Sequence, residues 1–393
     1  MDTLPGNIAL YLHDLFSADA LRSPFGHYRA IRDLGPVVRL GDPDVYMLSR
    51  FDDVRDALRV PDVLASGDGV GFNDAVNRPG LPNIIQSDGE QHRRLRSEVL
   101  RPLLPGQLRQ YREGLGSLIA DRIRSLVDAG PFDAMEEIAR FLPTAVISKL
   151  VGLPEEGRAA MLDWAAATFN AIGPLRKGFE ADVALLGEAR AYLAGLDRTN
   201  VREGSWARTL FDAAESGKLS GQEARGALSA YVLPSLDTTI LAKGHLLRNL
   251  AAAPDQWRRL KQDPSLIPTA VLEGVRHSSI IRWFSRVARA DYRAGGQVIP
   301  EGARVMVLYG SANRDERQFA DPDAFDVTRD ARSHLAWGTG PHMCVGMHLA
   351  RIEMEVMLEA LVECCAVLAA GEPEVHANRG LYGFAKLPFE LRS

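Results

Sequence analysis

From Gly346 onward the chain reads GMHLARIEMEVMLEALVECCAVL, which is apolar on nearly every side when wound at helical pitch. Its main polar stripe is Arg351, Glu355, Glu359 and Glu363, spaced four apart. Such a segment is a core helix with one wet edge, so the rest of the fold has to wrap around it. The pattern predicts a helix over 345–370. Six further stretches carry apolar residues at spacings of three and four: 107–127, 136–152, 178–196, 205–216, 222–252 and 266–277. Strand signals are short. One is 37–49, two runs turned by Gly41-Asp42-Pro43-Asp44. Another is 284–309, with turns at Gly295-Gly296 and Pro300-Glu301-Gly302, and the last twenty residues read as strand again. Stretches 60–90 and 311–335 are irregular and long for compact loops, which points to function. The predicted class is mainly α with small β-sheets.

The length of 393 residues would allow two or three domains. No Ser/Gly tract, proline-rich spacer or internal repeat marks a boundary, so one domain over 1–393 is expected. The composition, 46% apolar and 25% charged, is that of a globular enzyme with material for a large core. A net charge of −5 argues against nucleic acid as a partner. The N-terminal stretch has no basic start and no small-residue cleavage site, and no segment reaches eighteen uninterrupted apolar residues. Cys364 and Cys365 are adjacent, so with Cys344 they form no disulfide framework. A soluble, cytoplasmic protein without membrane contact is expected.

Directly ahead of the core helix runs HLAWGTGPHMCVGMHLAR, from His334 to Arg351. Gly338, Gly340 and Gly346 allow positive φ and let a flat ligand lie against the backbone. Cys344 would aim its sulfur at that ligand, and the amides of the following helix favour a thiolate. A buried spectator cysteine is one alternative. A zinc site of His342, Cys344 and His348 is another, though it lacks a fourth ligand and leaves the glycines unexplained. A flat metal macrocycle with an axial thiolate accounts for both features.

The stretch WGTGPHMCVG resembles the haem-binding loop of cytochrome P450 monooxygenases, usually Phe-Gly-x-Gly-x-His-x-Cys-x-Gly. Trp337 replaces the phenylalanine; every other fixed position matches. The resemblance implies the cytochrome P450 fold, haem b as cofactor and Cys344 as iron ligand, with Trp337 and Gly338 beside the sulfur. In LEGVRHSS it makes Glu273 and Arg276 the family's Glu-x-x-Arg pair, completed by Arg329 from ADPDAFDVTRD. In DGEQHRRLRSEVLR it makes His92 and Arg96 partners of the haem propionates, joined by Arg286 and His342. In YVLPSLDTT it makes Asp237 and Thr238 the proton-delivery pair, with Pro234 and Ser235 where alanine and glycine are usual. Pro234 then fixes a kink in a continuous helix over 222–252, and Ser235 adds a hydroxyl where dioxygen binds. Ile280 stands where a proline is usual, and Asp88-Gly89-Glu90 replaces an acid followed by prolines.

The activity implied is insertion of one oxygen atom of dioxygen into an organic substrate, by hydroxylation or O-dealkylation. The thiolate pushes electron density into the iron and favours O–O cleavage. The chain carries no flavin or iron–sulfur motif, so an external ferredoxin with its reductase is the expected electron donor. It would dock on the face of the cysteine loop, against Arg93, Arg94 and Arg101, whose other reading is a solvated helix face. Two further readings stay open: an oxidative-coupling, desaturating or peroxide-driven haem-thiolate enzyme, and a haem gas sensor or zinc-binding structural protein. The matching positions offer Val70, Phe72 and Ile85 from the loop after residue 66, and Phe169 and Ile172 further on. Val232 and Leu236 from the central helix, Phe284 and Phe384 complete an expected pocket for a small or medium, largely apolar, aromatic molecule. The stretch LASGDGVGFND is similar to a subgroup that oxidises para-substituted benzoic acids, where a basic residue precedes the Gly-Val-Gly. Asp68 stands there. Either it repels a substrate carboxylate, which implies a neutral or basic aromatic substrate, or it caps a turn and faces water.

Overall fold

The structure, a computed structural model, describes residues 8–176 and 178–393. The first seven residues, part of the stretch read for a leader, lie outside the described residues. The core helix runs Met347–Cys364 and packs chiefly on the helix Pro105–Leu126 and then on Ile267–Ser278. Its buried face includes Leu349, Met354, Met357, Leu358 and Leu361. The wet edge is tied down: Arg112 donates to Glu355 Oε2 at 2.9 Å and also to Glu359. The helix stops six residues earlier than expected, with Cys365 extended at φ −121 and ψ 137. Val367–Ala370 turns instead into a strand pairing antiparallel with Pro388–Arg392. A short apolar run fits a buried helix end and a buried strand equally well, and here the sheet partner decides.

The expected helix over 222–252 is two helices, Gly221–Val232 and Asp237–Ala252, rather than one kinked rod. The first opens on a capping box in which Ser220 and Glu223 bond reciprocally. The break follows from Pro234, which has no amide to offer the carbonyl of Ala230. Ser235 Oγ donates to the carbonyl of Tyr231, and Thr238 Oγ1 donates to that of Pro234 at 2.7 Å, so side chains serve carbonyls at the break. The helices Phe179–Gly195 and Trp206–Glu215 lie where expected. Glu155–Ala171 was not signalled by the apolar spacing: its six alanines blur the contrast between faces.

The expected strands form small sheets. The largest has six, in the order 9–11, 38–40, 45–48, 304–307, 284–288, 64–65. Its centre pairs Arg286 with Val305, which fixes Arg286 on a strand beside the cavity described below. Among the described residues the buried apolar side chains gather in three clusters, the largest around the core helix and the broken helix. Among the described residues no helix is long and apolar enough to cross a membrane.

Candidate active site

The cysteine loop is closed by two backbone bonds, Gly338 N–H to Leu335 O and Cys344 N–H to Trp337 O, each 2.8 Å. Gly338 and Gly340 take φ of 69 and 70 degrees, where only glycine is relaxed. They serve different ends. A Cβ at Gly340 would stand 2.6 Å from Leu58 O, so that glycine fits the loop onto the protein, not onto a ligand as expected. A Cβ at Gly338 would meet nothing closer than 3.8 Å. The Cys344 side chain opens onto a deep cavity lined also by Trp337, Gly338 and the broken helix. Burial pushes the thiol up; the amides of Gly346 and Met347 and the charge of Arg96 pull against it without overturning it.

Four donors surround the cavity floor: His92, Arg96, Arg286 and His342 all line it. The two imidazole rings lie 4.2 Å apart, and burial lowers both, His92 to about 4. His92 Nε2 and His342 Nε2 are buried without a hydrogen bond, although Asp88 Oδ1 stands 3.5 Å from the latter. Arg96 Nη2 donates to Met343 O at 2.5 Å, and Arg286 Nη1 donates to Ser285 O at 2.8 Å, so each guanidinium keeps spare donors. Buried polar atoms are seldom left unpaired. An orphaned His92 nitrogen, a His342 nitrogen held only loosely by Asp88, and two under-used guanidiniums beside one sulfur fit a metal macrocycle carrying two carboxylates. The zinc alternative finds no support, since no three His, Cys, Asp or Glu side chains among the described residues are placed to hold a metal.

Beneath the loop, Arg276 and Glu273 are fully buried and bond twice, at 2.6 and 2.8 Å. Arg329 adds a 3.1 Å bond to Glu273 Oε1, so the three residues linked by the family resemblance meet in one cluster.

At the helix break, Ser235 and Thr238 line the cavity, but both hydroxyl protons are committed to carbonyls. Asp237 is not among the residues that line the cavity. Burial raises its carboxyl to about 7, opposed by Arg140 and assisted by Asp163. It therefore exchanges protons near neutrality.

Of the expected pocket residues, Val70, Ile85, Phe169, Ile172 and Phe284 line the cavity. Phe72, Val232, Leu236 and Phe384 do not. Phe72 stacks on Trp283 at 4.3 Å, Phe384 packs on His245 at 4.2 Å, and Val232 and Leu236 are buried in the largest apolar cluster. Apolar character marks burial, and only register decides which buried side faces a cavity. Sequence reasoning missed Leu186, Arg190 and Leu193 on one helix, and Arg225 and Ser229 on another with Leu233 just past its end, all of which line it. Their spacings of three and four were visible, but not the element they face.

Asp68 is outside the cavity: Arg289 grips both its oxygens, at 2.6 and 3.0 Å, on the surface. The carboxylate-repulsion reading therefore falls. Asp68→Asn is expected to cost less than about 1 kcal/mol, as exposed pairs do, and to leave the affinity for 4-methoxybenzoate unchanged in a binding titration. Arg93, Arg94 and Arg101 each pair with a carboxylate, of Glu90, Glu223 and Glu98 respectively. Their charge is balanced within the chain, which favours the solvated-face reading.

A helical fold that aims one cysteine at a cavity floor ringed by unsatisfied histidines and arginines defines a haem-thiolate protein. Comparison with known proteins agrees. The family model for cytochrome P450 matches residues 253–390. Cytochrome P450 CYP199A2 of Rhodopseudomonas palustris is 33% identical over 96% of this chain and 93% of its own length. The beta-dihydromenaquinone-9 omega-hydroxylase of Mycobacterium bovis is 32% identical over 95% of this chain and 77% of its own length. The crystal structure of Mycobacterium marinum cytochrome P450 CYP268A2 in complex with pseudoionone superposes with a TM-score of 0.85 at 26% identity, covering 99% of this chain and 100% of that one. The chain belongs to the cytochrome P450 family. It is a monooxygenase of the oxidoreductase class, and family members bind haem b through a cysteine thiolate.

Proposed function

We propose that this monooxygenase hydroxylates or O-dealkylates a medium-sized, largely apolar molecule, drawing its electrons from a ferredoxin. The observation that carries the reading is a single cavity joining Cys344 and Thr238 to the apolar side chains of Phe169, Ile172 and Phe284. The hydroxylase named among the relatives supports hydroxylation as the reaction type. Haem b, when bound, supplies the activation of dioxygen, because a cofactor does the hard chemistry and the protein supplies binding and protons. In this proposal Cys344 binds the iron, and His92, Arg96, Arg286 and His342 hold the two carboxylates of the macrocycle by charge-assisted hydrogen bonds. Phe169, Ile172 and Phe284 exclude water and orient the substrate. Thr238 holds a proton at Oγ1, which can rotate from the Pro234 carbonyl into the cavity. Asp237, titrating near neutrality, replenishes it from outside. That proton route supports dioxygen over added peroxide as the oxidant.

Thr238→Ala tests the route. The variant is expected to bind substrate with wild-type affinity while product per electron pair falls several-fold and hydrogen peroxide rises to match. General acid–base groups contribute roughly 100-fold or more, so a coupling ratio unchanged from wild type would remove Thr238 from the mechanism.

A further inference from the structure

Arg190 occupies an unusual position for a cation. It lies on the helix Phe179–Gly195 between Leu186 and Leu193, and all three line the cavity that holds Cys344. Its Nη1 donates to Ala75 O at 2.6 Å and its Nη2 to Val76 O at 3.3 Å. A guanidinium has five N–H donors, so these bonds leave three. Burial lowers its pKa, and no carboxylate acts to restore it. Arg94, Arg112 and Arg314 are paired with Glu223, Glu355 and Asp323; Arg282 and Arg304 rest, like Arg190, on uncharged oxygens, but neither of those two lines the cavity. Arg96 and Arg286, at the cavity floor, belong to the macrocycle's carboxylates in the reading above. Arg190 is on another element, the helix Phe179–Gly195, and bonds to the carbonyls of residues 75 and 76.

A second cation lies nearby. Arg225 also lines the cavity, with its Nε bonded to Leu196 O at 2.9 Å, just past the end of the Arg190 helix. Leaving a charged group half-desolvated against apolar walls is costly unless an anion meets it. Hydrogen bonds to carbonyl oxygens satisfy donors without neutralising the charge.

We propose that Arg190, with Arg225 on the neighbouring helix, forms a carboxylate-binding subsite, and that the substrate is an amphipathic acid. Its anionic end rests on Arg190, and its apolar body passes Leu186 and Phe169 toward Thr238. The proposal rests on the cavity being the substrate site of the monooxygenase. It reverses the charge expected from Asp68, which is on the surface.

The test uses two probes of one length, decanoate and decanamide, bound to the haem-loaded protein. Affinity is read by calorimetry and by the shift of the haem absorption band, in wild type, Arg190→Met, Arg190→Lys and Arg225→Met. Wild type is expected to prefer decanoate. A hydrogen bond to a charged group is the stronger kind, so Arg190→Met should weaken decanoate about 10- to 100-fold and decanamide less than about threefold. Arg190→Lys should keep much of the preference, and Arg225→Met should lose a smaller part of it. The proposal is overturned if wild type does not prefer decanoate. It is equally overturned if Arg190→Met weakens both probes in parallel, which would reduce Arg190 to a tie between its helix and residues 75–76. If wild type lacks the red-shifted band of its reduced carbon monoxide complex, the monooxygenase reading fails instead, and the calorimetric preference still judges the subsite by itself.

Discussion

Histidine in place of Cys344 removes the red-shifted absorption band of the reduced, carbon monoxide-bound protein and takes turnover to background, while haem remains bound. The two halves of that result have separate causes. The macrocycle's carboxylates face His92, Arg96, Arg286 and His342, none of which the substitution touches. The sulfur, by contrast, can become an anion and push charge onto a metal. It is also specifically supported: the amides of Gly346 and Met347 donate to it and Arg96 stands in its field. An imidazole carries no negative charge for those groups to stabilise, so they would face a neutral ring. Neither other thiol can substitute, because Cys364 ends the core helix and Cys365 lies just beyond it, buried beside Lys261 and pushed up to about 12. Persistence of the red-shifted band in Cys344→His would end the ligand assignment.

What the sequence made legible was what periodicity and fixed spacing encode. The core helix could be read because its polar edge repeats every four residues, and the structure puts that edge against Arg112. The cysteine loop could be read because its glycines, histidine and cysteine sit at set offsets in one short segment. The Glu273, Arg276 and Arg329 cluster joins residues more than fifty positions apart, and only the family resemblance brought them together beforehand. Where the reading failed, a tertiary partner decided. The end of the core helix became a strand because Pro388–Arg392 was there to pair with it. Pro234 was read as a kink, but side-chain bonds from Ser235 and Thr238 allow a full break. Asp68 was read against an absent substrate, and Arg289, more than two hundred residues away, turned it to the surface. Arg190 went unremarked because a lone arginine on an amphipathic helix ordinarily meets water, and nothing local reveals that its neighbour is a cavity.

Glu273→Gln is expected to destabilise the protein by about 3–5 kcal/mol, the usual cost of leaving one member of a buried ion pair without its partner. Against total stabilities of about 5–15 kcal/mol, that is enough to lower the denaturant midpoint sharply and to release haem on mild warming. The geometry says why so much hangs on one carboxylate. Glu273 Oε1 and Oε2 take both arms of Arg276, and Oε1 also accepts from Arg329 at 3.1 Å and from the Asp326 amide at 3.1 Å. Arg276 in turn donates to Asn313 O at 2.8 Å and Pro322 O at 2.9 Å. Helix Ile267–Ser278 thereby holds the irregular stretch that leads into the cysteine loop, and that stretch has no ladder of its own. Arg329→Ala should cost less, about 1.5–3 kcal/mol, because Arg329 reaches toward solvent and Glu273 keeps its main partner. The pair Glu273→Leu with Arg276→Met separates the ion pair from the carbonyl bonds. Buried ion pairs elsewhere are often replaced by apolar residues at no cost. Here the double variant should recover less than half of the loss, since the carbonyls of Asn313 and Pro322 remain unpaired in the interior. Equilibrium unfolding in urea measures both losses. Full recovery in the double variant would mean that the charges, and not the carbonyls they reach, were all that mattered.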